Sequence, residues 1–139
     1  MRGFFVLLFN FSLVSAAAAE PALQAESGWI REAPPTAPVR AGYLRLKNEG
    51  NTDLTVIGVR SDAFGAIEIH EMVLSSDDTM KMRPVRRLKV PAGGAIALEP
   101  GGLHLMLFRP RQTLATGAEV SIVLELEEGG AIEATLRQR

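Results

Sequence analysis

Leu103-His104-Leu105-Met106-Leu107 alternates leucine with one histidine and one methionine. A period of two marks a β-strand, in which side chains at i and i+2 share a face. The stretch therefore reads as a strand with its leucines toward a core and His104 and Met106 together on the opposite face. Glu99-Pro100-Gly101-Gly102, directly before it, is a turn by its chemistry. The other histidine repeats the arrangement in Ile69-His70-Glu71-Met72, and Met80-Lys81-Met82 repeats the spacing with two thioethers. Apart from Met1, every histidine and methionine of the chain belongs to these three pairs.

Outward from this strand the same reading applies. Strands are expected at 28–33, 41–48, 54–59, 66–73, 80–85, 88–90, 95–98, 119–126 and 131–136, separated by Gly, Pro and Asp/Ser turns. Residues 20–27 read as a loose lead-in, and Trp29, the sole tryptophan, as a core anchor. No segment carries a helical period. The chain is expected to be all-β, an antiparallel Greek-key β-sandwich or barrel.

At 139 residues, 47% hydrophobic and 22% charged, the chain suits one globular domain. Its net charge of −1 gives no electrostatic reason for nucleic acid or an anionic membrane as partner. The start reads as a secretory signal peptide over residues 1–19: Arg2, an apolar run from Phe4 to Val14, and small residues Ala16 to Ala19. Cleavage before Glu20 would leave an exported, soluble domain at 20–139, expected to be a periplasmic monomer, with no later stretch apolar enough to span a bilayer. With no cysteine in the chain, neither a cysteine-linked lipid nor a disulfide is expected.

Imidazole and thioether donors without thiolate suit Cu(I), a soft ion. A blue-copper site needs cysteine, zinc would recruit thiolates, carboxylates or more histidines, and hydrolytic motifs such as HExxH or G-x-S-x-G are absent. The chain is not expected to be an enzyme. Glu68, Glu71, Asp77 and Asp78 read as a solvated edge and turn. Arg83, Arg86, Arg87 and Lys89 read as a solvated basic face, with docking of an acidic partner as the other reading. The alternative function is a β-sandwich interaction module in which the Met/His cluster is merely packed.

Met82 and His104 are separated by twenty-one residues, followed by His104-Leu105-Met106; His70 and Met82 have eleven residues between them. Together with Ala41-Gly42-Tyr43-Leu44, Met80-Lys81-Met82-Arg83-Pro84 and Pro100-Gly101-Gly102-Leu103-His104, this resembles the PCuAC family of periplasmic copper chaperones. That family spaces its ligands as His, ten residues, Met, twenty-one residues, His-x-Met. The first interval here is one residue longer, an insertion the loop 74–79 can absorb. The resemblance covers about Trp29 to Leu136. It implies a cupredoxin-like fold and Cu(I) held by His70, Met82, His104 and Met106, with Met72 and Met80 as alternates. It also implies an exported acceptor, the copper centre of cytochrome c oxidase subunit II or a Sco-type thiol protein. The chain ends Leu136-Arg137-Gln138-Arg139, so the His/Met-rich tail of some members, a Cu(II) site, is not implied.

Overall fold

The computed structural model describes residues 12–15 and 22–139. Most of the expected signal peptide, residues 1–11 and 16–19, therefore lies outside the described residues. The rest is strand and turn. In chain order the strands are β1 Leu23–Ile30, β2 Val39–Asn48, β3 Leu54–Arg60, β4 Phe64–Leu74, β5 Met80–Pro84, β6 Leu88–Val90, β7 Ala95–Leu98, β8 His104–Pro110, β9 Glu119–Leu126 and β10 Ala131–Gln138.

Seven of them close a barrel in the order β4-β8-β2-β1-β10-β9-β3 and back to β4. The neighbours β8–β2 and β9–β3 are far apart in sequence, as a Greek-key order requires. Every pairing is antiparallel except β1–β10, which is parallel at Trp29↔Arg137 and Ile30↔Gln138. β5 extends the sheet beyond β4, β6 lies beside β3, and β7 pairs with the second half of β2. The closing contact is narrow: β3 and β4 pair only at Val59↔Ile67.

Alternation fixes which residues fill the barrel. Leu105, Leu107, Ile67, Ile69, Leu44, Leu46, Ile122, Leu124 and Leu136 point inward and are buried. Removing that much apolar surface from water is the main favourable term. The residues between them face outward, which sends both His-x-Met pairs to the outer face.

Two expectations change. The lead-in at 23–27 is strand, because Leu23–Glu26 pairs with Asn48–Arg45 before a bulge between Glu26 and Trp29. Ser27 takes φ 54° at that bulge, and the interruption breaks the alternation that would have revealed the strand. Trp29 is not in the core. It is half-buried on the outer face, its ring against Tyr43 at 4.6 Å between centroids.

Candidate metal centre

Three strands carry the candidate ligands, and their register brings most of them together. β4 pairs with β8 at His70↔His104 and Glu68↔Met106. β5 pairs with β4 at Met72↔Met82 and Leu74↔Met80, and β2 reaches β8 at Ala41↔Met106. Directly opposed residues share a face, so the two His-x-Met pairs and Met80-Lys81-Met82 form one outer patch. Within it lies a cleft of about 340 Å³ whose lining includes Met72, Met82, His104, Met106, Arg31 and Tyr43. His70 adjoins the cleft without lining it; its ring centroid is 6.1 Å from that of His104 and 6.4 Å from that of Phe108. Met80 stands one row further out, opposite Leu74, and does not line the cleft. Of the two alternates, the fold therefore brings in Met72 and leaves out Met80.

Hydrogen bonds fix which tautomer each neutral imidazole adopts. The Nδ1 of His104 lies 2.9 Å from the carbonyl oxygen of Gly102. A carbonyl only accepts, so Nδ1 carries the proton and Nε2 presents a lone pair. That Nε2 is buried with no protein partner, on a side chain belonging to a residue only 6% exposed. Leaving a buried polar atom unpaired costs about 1–3 kcal/mol, a cost that a bound metal ion would remove. The turn before β8 sets this up. Gly101, at φ 89°, makes the reversal a side chain would strain, and the Gly102 N–H donates to Glu99 O at 3.1 Å. That leaves the Gly102 carbonyl aimed at the histidine.

His70 has the complementary arrangement. Its Nε2 lies 2.7 Å from Glu68 Oε2; an ionised carboxylate only accepts, so Nε2 donates and the buried, unpartnered Nδ1 holds the lone pair. A carboxylate orienting an imidazole through its far nitrogen is a common support for a metal ligand. Glu68 is the site residue that the sequence reading set aside as solvated edge. The signal was present, since Glu68, His70 and Met72 follow at i, i+2 and i+4 on one strand face.

Most of the other flagged charges are engaged elsewhere. Glu71 pairs with Arg83, and Asp77 accepts from the Thr79 hydroxyl and backbone, which together hold its carboxyl below the usual range. In the basic stretch, Arg83, Arg87 and Lys89 pair with Glu71, Glu127 and Asp53. Among the described residues no group of three or more His, Cys, Asp or Glu side chains could hold a metal. The soft donors distinguish this patch. Met80 and Met82 are each 54% exposed, a poor use of methionine as core filler.

The model of the LpqE-like family, named for a lipoprotein, matches residues 23–137. Lxx21020 of Leifsonia xyli subsp. xyli, which also carries a lipoprotein name, is 28% identical over 107 residues, covering 77% of this chain and 63% of that protein. The chain spans less than two thirds of the length of the curated relatives it matches. Among solved structures, the copper-bound PCuAC domain from PmoF2 superposes with a TM-score of 0.72 at 18% identity, covering 88% of this chain and 96% of that one. The Cu(I) form of DR1885 from Deinococcus radiodurans gives 0.64 at 23% identity, covering 88% and 81%. At these identities the likeness is one of fold.

Proposed function

The chain belongs to the LpqE-like family, the PCuAC family that its His/Met spacing resembles, and from that membership we propose that it is an exported copper chaperone. It carries one Cu(I) as cargo on His70, Met82, His104 and Met106, and passes the ion to an exported acceptor without doing chemistry on it. The periplasm is the compartment this reading requires, after removal of residues 1–19. The acceptor class is a copper protein such as cytochrome c oxidase subunit II or a Sco-type thiol protein.

The observation that carries the reading is His104: a buried imidazole with Nδ1 committed to Gly102 and Nε2 unpartnered beside Met82 and Met106. A merely packed Met/His cluster would leave neither that lone pair idle nor Met82 half in solvent. The donor set adds no negative charge of its own, which favours a soft monovalent ion over a divalent one. That two proteins of this fold are copper-bound, the PmoF2 domain and DR1885, supports the same cargo here. Met72, opposite Met82 and in the cleft, is the fifth donor within reach.

X-ray absorption on the Cu(I)-loaded protein tests this. The expected result is one copper per chain in a mixed nitrogen and sulfur shell, with His104→Ala retaining little metal. A shell of nitrogen or oxygen alone, or full retention by His104→Ala, overturns the proposal.

A further inference from the structure

One wall of the metal cleft is Arg31 and Tyr43, and these are the near end of a longer arrangement. The Arg31 guanidinium lies 5.7 Å from the Tyr43 ring centroid, the Tyr43 and Trp29 centroids are 4.6 Å apart, and the Arg139 guanidinium sits 4.5 Å from the Trp29 centroid. Backbone register builds this ladder: Trp29 pairs with Tyr43 on β2 and with Arg137 on β10. Four side chains, two of them cations, thus meet in succession from the cleft across the outer face.

Neither arginine has an ion pair among the described residues. Of the nearby carboxylates, Glu26 pairs with Arg45, and Glu32 accepts from the Thr116 hydroxyl, which orients it away from an ion pair with either arginine. Arg137, opposite Glu119 in register, forms no ion pair either. The contrast is with the basic stretch visible in the sequence, where only Arg86 is left without a carboxylate. Guanidinium groups without ion pairs among the described residues therefore stand beside the cleft.

A guanidinium held over an aromatic face is oriented at little further entropic cost, and its N–H groups along the plane stay available for bidentate carboxylate contact. Trp, Tyr and Arg are also the residues that dominate the centres of protein interfaces. Tyr43 is buried and Trp29 is covered by Arg139, so the ladder presents charge and no apolar wedge for a bilayer. We propose that Arg31 and Arg139, stacked on Tyr43 and Trp29, form a docking platform for an acidic protein surface, which then lies over the mouth of the metal cleft. The identity of that partner as the copper acceptor rests on the chaperone reading; the platform does not.

Trp29 is the only tryptophan and reports on its own ladder. The probe is a ten-residue poly-glutamate peptide titrated into the whole protein at low salt, read by Trp29 emission and by calorimetry. Saturable binding is expected, weakened at least tenfold in Arg31→Gln/Arg139→Gln and by about 0.5 M salt, and kept in Arg86→Gln. The platform is overturned if the double variant binds as the parent does, if Arg86→Gln loses as much, or if only phosphatidylglycerol vesicles bind. Copper per chain is measured separately on the parent. A parent that binds the peptide but no copper sinks the chaperone reading and leaves the platform standing.

Discussion

Met106 and Met80 carry the same thioether in different surroundings. Met106 lines the cleft beside His104, whereas Met80 stands a row outside it. Leucine keeps the approximate volume of methionine while removing sulfur. Met106→Leu should therefore weaken Cu(I) retention by at least about tenfold, or about 1.4 kcal/mol, with unfolding changed by less than about 1.5 kcal/mol. Met80→Leu should retain copper as the parent does. Competition with a Cu(I) chelator measures both, and equal retention by the two variants would remove Met106 from the ligand set. At this scale the sequence was informative where chemistry and alternation coincide. His70, His104 and their methionines stand out by type alone. Glu68 does not, because a carboxylate on a strand edge has the same appearance whether it faces water or an imidazole.

β1 illustrates how an element is held by close backbone approach. A Cβ added at Gly28 would lie 2.3 Å from the Thr135 carbonyl oxygen on β10, so the two strands cannot meet there with any side chain present. Gly28→Ala should cost about 1–3 kcal/mol in urea unfolding. Gly65→Ala, whose new methyl would press first on the guanidinium end of Arg109 rather than on backbone, should cost less. Two loops are pinned by carboxylates on backbone N–H groups: Asp53 accepts from Ala92 at 3.0 Å and Glu128 from Thr55 at 3.1 Å. Those bonds hold both carboxyls below their ordinary values of 3.8 and 4.5. The unfolded chain then binds more protons than the folded one as pH falls through this range. The stabilisation is complete above about pH 4.5 and drains away below it. Unfolding midpoints between pH 6 and pH 3 should fall less steeply in Asp53→Asn than in the parent. The pinned loops were legible as turns, but their fastening was not, since Asp53 and Ala92 come from distant parts of the chain.

Over the whole molecule, the all-β class and most strands followed from alternation and turn chemistry. Closure did not, because neither the parallel β1–β10 pair nor the register that sets Met72 against Met82 leaves a local pattern. The Arg31–Arg139 ladder joins opposite ends of the described chain and has no sequence signature. Depth within the cleft bears on hand-off: Met82 is half exposed at the lip and His104 is buried at the base. An incoming thiolate should displace the lip donor first. Mixed with excess apo dithiol protein, the Cu(I)-loaded chain should surrender its metal; copper that stays put would end the delivery reading. Finally, the parallel pairing of β1 with β10 gives the barrel two unlike poles. The end of β10 lies beside Ile30 at the pole that carries the cleft, while Leu23 lies beside Asn48. Asn48 and Ala41, the neighbour of Met106, are seven positions apart on β2, a run of roughly 23 Å. Any tether joined ahead of Leu23 would leave from the far pole, and the cleft would face outward from whatever holds it.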